Sequence, residues 1–330
     1  MSVCVVDASG VIQWEQKVAA DPEIIAALLQ AKAPTARRVG LESGATSGWL
    51  WRALVERGVP AICIDARHAK AALSMQINKS DRNDAAGIAR IMQTGWYRQV
   101  QVKSPYSHAL RGLLNSRALL VKVQRDLENQ VRGLLKNAGL IIGRAKEGVF
   151  SARTKALLAT QTELAAIAAP LLTAREAVHQ QLILLARRVH QLAKEHSQTR
   201  AFMSVPGVGP MTALAFLATV DDPARFTRAR DVGAYVGLTP RRHASGEVDW
   251  TGRVSKCGNS MLRTYLFEAA GVLLTRVQKW CALKAWGIRL AKRSGMQKAR
   301  TAVARKLAVI LLRMWRDGTQ FQWTAEPTST

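Results

Sequence analysis

Acidic residues are scarce in this chain. Only 23 Asp and Glu stand against 48 Lys and Arg among 330 residues, a formal net charge of +25, which lies outside the usual range of metabolic enzymes and asks for a polyanionic partner. Long hydrophobic runs are also missing. None reaches the roughly 18 apolar residues that a membrane-spanning helix needs, so nucleic acid is favoured over a membrane as the polyanion. The first residues, Met-Ser-Val-Cys-Val-Val-Asp, place no basic segment ahead of an apolar core and do not read as a secretory signal. Cysteine is sparse: Cys4, Cys63, Cys257 and Cys281 lack the paired spacing of a zinc site or a small disulfide scaffold. A reducing cytoplasm is the compartment this suggests. The nine tryptophans are dispersed, which places them in cores or at boundaries rather than in a stacking ladder.

What is present changes character along the chain. Apolar residues 3–6 and 11–14 flank Asp7-Ala8-Ser9-Gly10, the composition of a hairpin turn between two strands. Asp21-Pro22-Glu23 supplies an N-cap, a proline at the first helical position and an acid in the first turn, opening a helix through Ile24, Ile25, Leu28 and Leu29. Arg38-Val39-Gly40-Leu41 reads as a third strand, residues 49–55 as a helix stopped by Gly58, and residues 60–64 as another strand. This order implies an α/β layer with helices packed on a mixed sheet. Glu42 falls at the carboxyl end of the third strand, where open α/β sheets place their ligands. Asn78-Lys79-Ser80-Asp81-Arg82-Asn83-Asp84 precedes a helix through Ala85, Ile88, Ala89 and Ile91, and positions three apart share a helical face, so Asp81 and Asp84 can point at one spot. Three hard oxygen donors of this kind suit Mg²⁺. The same residues also read as an ordinary helix start, with Ser80 as cap and acids favouring the macrodipole.

In the middle of the chain, Leu113, Leu114, Leu120, Leu127, Val131 and Leu134 recur with helical period, and Val178, Leu182, Leu185, Val189 and Leu192 approach a heptad seam. Coiled-coil dimerisation and a helical hairpin within one chain both satisfy that pattern, with residues 139–148 as part of the link. Further on, Pro206-Gly207-Val208-Gly209-Pro210 joins two helices through a tight turn resembling a helix-hairpin-helix, whose backbone N–H groups hold a phosphate without reading bases. Gly207 and Gly209 would then let the sugar-phosphate approach closely, unless the turn is a plain connection. Lys292, Arg293, Lys298, Arg300, Arg305 and Lys306 form a basic face near the end of the chain that suits either phosphates or solvent.

Residues 235–260 are the stretch with the most chemistry. Apolar Tyr235, Val236 and Leu238 give way at Thr239-Pro240 to a basic, glycine-containing loop. Ser245 lies in it, followed by Gly246 and preceded by Arg241 and Arg242, a hydroxyl with two planar donors suited to phosphate oxygens. Lys256 adds a cation. A nucleophile for a phosphodiester and an ordinary Ser-Gly turn on a basic surface are both consistent with these residues.

Taken together, Leu41-Glu42-Ser43-Gly44-Ala45-Thr46, the segment 78–85, Pro206-Gly207-Val208-Gly209, and Gly237-Leu238-Thr239-Pro240-Arg241-Arg242 with Ser245-Gly246 resemble, in order and approximate separation, the DEDD-type transposases of the insertion sequence 110 family. The resemblance implies an α/β plus α architecture: a RuvC-like, RNase H-like domain over residues 1–103, a helical coiled-coil linker over 104–198, and a C-terminal transposase domain over 199–330. It implies that Glu42, Asp81 and Asp84 are three of a metal-binding acidic quartet taking Mg²⁺. Ser245 would be the catalytic nucleophile, and Gly207, Gly209, Arg241, Arg242 and Lys256 would contact nucleic acid. DNA recombination through a serine-DNA phosphodiester, guided by a noncoding bridge RNA, is the activity it implies. A homo-oligomer, dimer or tetramer, in the bacterial cytoplasm at the nucleoid goes with it. A metal-dependent junction nuclease and a non-catalytic nucleic-acid binder are the alternative readings. The chain departs from the family pattern at its start. The strand ending in the first Asp of the quartet is not found, and Asp7 sits in a turn too close to Glu42 to replace it, so the sheet is expected to lack its central strand and to expose unpaired backbone groups.

Overall fold

Asp7 turns the chain in the computed structural model, which describes residues 1–74, 78–144 and 148–323. Its carboxylate accepts from the Ser9 and Val11 amides, the Ser9 hydroxyl and the Gln13 side chain, and these bonds close the antiparallel hairpin of β1 (Ser2–Val6) and β2 (Ile12–Lys17). Asp21 caps α1 (Pro22–Lys32) by accepting from the amides of Glu23 and Ile24. β3 (Val39–Glu42), α2 (Ser47–Glu56) and β4 (Ala61–Ile64) follow, with β3 and β4 parallel. Asp65 caps α3 (Ala66–Ala72), and Ser80 caps α4 (Asp81–Thr94), which ends at Gly95 with φ +74°. These elements form one of two compact units, Met1–Ser104.

The strands of this unit do not join into the single mixed sheet the sequence suggested. Among the described residues β1 pairs only with β2, and β3 only with β4. α4 packs on both β1 and β3, so one helix spans the two ladders without any β1–β3 hydrogen bond. One edge of β1 and one edge of β3 carry no strand partner among the described residues. Gly40 permits the α4 contact, because a Cβ there would lie 2.8 Å from Met92 Sδ and 3.0 Å from Ile88 Cγ2. Two small cores result, one around Ile25, Leu29, Leu50 and Leu54, the other around Ile64, Ala69, Ile91 and Met92.

The second unit, Pro105–Thr330, is built among its described residues from helices and one hairpin. α5 (Pro105–Asn137) and α7 (Thr162–Glu195), each about 50 Å long at 1.5 Å per residue, pack on one another with α6 (Phe150–Leu157) between them in sequence. Leu110 and Leu114 share a core with Val189 and Ala193, while Val131 and Leu135 share another with Phe150, Ala168 and Leu172. The start of one helix therefore meets the end of the other. The two helices thus form a helical hairpin within the chain. Between the two cores the Arg175 side chain, 2% exposed, is held by Glu128 at 2.9 Å and lies over the Phe150 ring.

The rest of the unit comprises α8 (Ser197–Met203), α9 (Pro210–Val220), α10 (Asp231–Tyr235), β5 (Pro240–Ser245), β6 (Val248–Val254), α11 (Ser260–Thr275), α12 (Ala282–Ser294) and α13 (Met296–Asp317). α9 is apolar on every side and buried from Thr212 to Val220, which makes it the central helix that the others cover. Phe202 and Phe216 meet edge to face beneath Trp315. α11 and α13 complete this core with Leu262, Leu266, Leu273, Val303, Leu307 and Leu311.

Candidate functional site

The basic stretch read from the sequence as a loop is a two-stranded ribbon. β5 and β6 are antiparallel, with His243 opposite Trp250 and Ser245 opposite Val248. Gly246 and Glu247 form the two-residue connection, and Gly246 takes φ +56°, the left-handed conformation such tight turns need at that position. The signal for a hairpin was present in Ser-Gly-Glu-Val, but the local cation density obscured it. Every residue of β5 is exposed, Ser245 included, so the hydroxyl stands at the tip of a projecting ribbon, open to a large partner.

The base of the ribbon is tightly fixed. A Cβ at Gly237 would overlap the Cys257 carbonyl oxygen, and one at Gly258 would overlap that of Tyr235. Only glycines allow these backbone segments to touch. Arg263 clamps the same junction by donating one amine to the carbonyls of both Val236 and Cys257, at 3.1 Å each. Lys256, exposed, takes φ +55° beside it and donates its amide to Gly237.

Strand alternation sorts the ribbon's side chains between two faces. Arg242 faces away from Ser245 and donates from Nε and Nη2 to the two Asp249 carboxylate oxygens, at 2.9 and 2.6 Å. This fork holds the Asp249 carboxyl below its usual range and raises the guanidinium. Arg242 is therefore occupied, whereas the Arg241 guanidinium makes only a long 3.4 Å contact to the Ser255 carbonyl. Sequence reasoning missed Asp249 as a partner, because the pairing depends on cross-strand register.

The two glycines of the 206–210 turn have different roles in this structure. Gly207 has φ +90°, and a Cβ on it would overlap the Ala269 carbonyl oxygen of α11. Its bareness is thus explained by helix packing. A Cβ added at Gly209 would meet no atom within 4 Å, and Gly209 precedes α9 without any side-chain cap. The first turn of α9 thus relies on no side-chain cap, and its first residue, Pro210, has no N–H to satisfy. On the basic face at the chain's end, Lys292, Arg293, Lys298, Arg305 and Lys306 are exposed, but Arg300 lies flat on the Phe267 ring at 4.1 Å.

In the N-terminal unit, Glu42 is exposed at the carboxyl end of β3, and Asp81 and Asp84 occupy the first turn of α4. Arg82 between them is paired with Glu15 of β2, and Asp81, Arg82 and Glu15 line one groove with Ser2, Lys17 and Ser80. Glu15 was not singled out from the sequence, since nothing local marks it. The three acids carry donors of the right hardness for Mg²⁺. Among the described residues, however, no three His, Cys, Asp or Glu side chains converge on a point that could hold a metal ion, so the carboxylates as placed do not form a cage. Asp7 does not complete one: its own turn engages both oxygens, the Ser9 hydroxyl foremost, and these bonds depress its titration. No described helix is long and apolar enough to cross a membrane.

Two family models match the chain, and the first runs past the Met1–Ser104 unit through α5. Residues 1–139 match the model of the DEDD-type domain described as "Transposase", and residues 199–285 match "Transposase IS116/IS110/IS902 family". The class defined is that of the transposases. Among curated proteins, the transposase for insertion sequence element IS1111A of Coxiella burnetii is 34% identical over 81% of this chain and 74% of its own length. A protein named "Probable family 20 transposase" from Pseudomonas aeruginosa is 32% identical over 71% of each, and the transposase for insertion sequence element IS1328 of Yersinia enterocolitica 25% over 74% of each. The chain belongs to the IS110 family of insertion-sequence transposases.

Proposed function

We propose that this chain is a DNA transposase in which Ser245 is the nucleophile. The observation that carries the reading is the placement of Ser245, exposed at the tip of a cationic ribbon whose base is fixed by Gly237, Gly258 and Arg263. In the step proposed, Ser245 Oγ forms a bond to a backbone phosphorus and one phosphorus–oxygen bond of the DNA breaks, leaving a sugar hydroxyl. The serine proton passes to that leaving oxygen through solvent. Because one phosphodiester replaces another, the covalent link conserves the bond energy that hydrolysis would dissipate, and the strand can be rejoined. Arg241 and Lys256 face solvent near the ribbon and supply charge for the phosphate, with the open start of α9 at Gly209 as a second phosphate contact. Glu42, Asp81 and Asp84 are proposed as the acids that recruit Mg²⁺. No step is routed through the metal, because the three do not converge in this structure. Guidance by a noncoding RNA and assembly as a dimer or tetramer belong to the same reading, supported by family membership and the +25 charge.

The test is trapping on nicked DNA. A covalent protein–DNA adduct that is lost in Ser245→Ala and kept in Ser260→Ala supports the serine mechanism. Free DNA ends from both variants would replace it with a hydrolytic nuclease. The scattered acids favour a second reading, that of a non-catalytic nucleic-acid binder, which salt-dependent binding without any Mg²⁺-dependent strand scission would establish.

A further inference from the structure

Trp250 is an exposed indole of the ribbon that is buried in no core. It is 55% exposed and belongs to none of the hydrophobic cores, nor does Val248, two residues nearer the tip on the same strand. Indoles normally bury most of their large apolar surface. Here the ring lies instead over the bare face of Gly252, where an added Cβ would come within 2.7 Å of it. On the opposite strand His243 stacks on it, with ring centroids 5.7 Å apart and planes 11° from parallel. The result is a flat two-ring step open to solvent.

Its position relative to Ser245 follows from the register. His243 pairs with Trp250 and Ser245 with Val248. Residues two apart on a strand share a face and lie about 7 Å apart, so the aromatic step and the serine hydroxyl stand on one face of the ribbon, while Arg242 and Asp249 close on each other on the opposite face. Arg241, Arg253 and Lys256 are exposed along the same ribbon, and only Glu247 is an acid outside the Arg242–Asp249 pair. An exposed aromatic platform within a cationic strip is the combination that binds single-stranded nucleic acid: the cations follow the backbone and the ring takes a base face.

We propose that Trp250, backed by His243, stacks an unpaired DNA base next to the phosphate presented to Ser245, and so acts as a positioning residue. This rests on the reading of the ribbon as DNA-facing. The ligand class is a DNA strand with an unstacked base, since a base inside a duplex has both faces covered.

The experiment uses the full-length protein and measures anisotropy of labelled oligonucleotides at fixed salt. Trp250→Ala weakens binding to a single strand by roughly 5- to 150-fold, the range that stacking of one base spans by alanine substitution. Trp250→Phe recovers most of the loss and Trp250→Leu does not. Scanning one abasic site along the strand finds a position where wild-type and Trp250→Ala affinities become equal. The salt slope is unchanged in Trp250→Ala, whereas Arg253→Ala lowers it by about 1. Fully paired, blunt-ended duplex is bound equally by wild type and Trp250→Ala. Equal single-strand affinity of wild type and Trp250→Ala, or full recovery by leucine, overturns the stacking role while leaving the DNA reading intact. Failure of the wild type to bind any DNA overturns the DNA reading, and this proposal with it.

Discussion

Replacing Gly207 by alanine should destabilise the C-terminal unit, and the structure sets the size of the effect. Gly207 sits at φ +90°, a conformation that costs an L-residue about 1–2 kcal/mol. The new methyl would overlap the Ala269 carbonyl oxygen and lie 3.1 Å from the Leu273 nitrogen and 3.3 Å from the Ala269 carbon. All three atoms are α11 backbone, so no flexible side chain can yield. Relief requires the turn before α9 to move off α11, an overpacking change of about 1–3 kcal/mol. The sum, about 2–5 kcal/mol, corresponds to a drop of roughly 4–20 °C in Tm for a unit of this size. Gly209→Ala is the control: φ is −99° and no atom lies within 4 Å, so the cost is at most about 1 kcal/mol for the poorer cap. Thermal unfolding followed by far-UV circular dichroism reads both. A Gly207→Ala protein that melts with the wild type refutes the packing argument. Loss of DNA binding in both variants, with stability unchanged in both, would return Gly207 to the phosphate-approach role suggested by the sequence.

Removing both carboxylates that pair with the buried Arg175, as in Glu128→Ala with Glu176→Ala, should cost about 3 kcal/mol in denaturant unfolding because it strands an enclosed charge, and Arg175→Met should cost far less. Ser245→Ala should change stability by less than about 0.5 kcal/mol, since the side chain is exposed, so any loss of the covalent adduct is chemical in origin. His196 accepts the Gln198 amide through Nδ1 at the start of α8, and burial, then Arg200, lowers its pKa. Its contribution is therefore full above the unfolded value near 6.5 and is lost as pH falls through that value towards the lower folded one; His196→Asn should remove this part of the pH dependence of Tm. Asp7 behaves likewise in the carboxylate range. Its depressed pKa means the hairpin loses support as pH falls below the ordinary value of about 4 towards the lower folded one, a loss that Asp7→Ala should abolish in acid titrations of stability.

The parts legible in the sequence are those set within a few residues. Asp21-Pro22-Glu23 and Ser80 announce helix starts because a cap bonds to amides two or three positions on. Asp7-Ala8-Ser9-Gly10 announces a turn for the same local reason, and the heptad-like leucines announce long helices. Of the candidate site, the exposed serine, Arg241 and the open Gly209 could be named in advance. Their settings could not. That the 240–254 stretch is a ribbon, that Arg242 is neutralised by Asp249, and that Trp250 shares a face with Ser245 all depend on which residues pair across two strands.

What the sequence alone determined is the family pattern, the strong positive charge and the local chain geometry, since each is carried by residue types and their near neighbours. What only the tertiary structure decided is which groups remain free: Gly207 answers to α11, Arg300 to Phe267, and the strands separate into two ladders bridged by α4. These outcomes depend on contacts between residues tens of positions apart, and whether such residues meet is fixed by how the helices and strands close-pack, a competition that no local window of sequence contains.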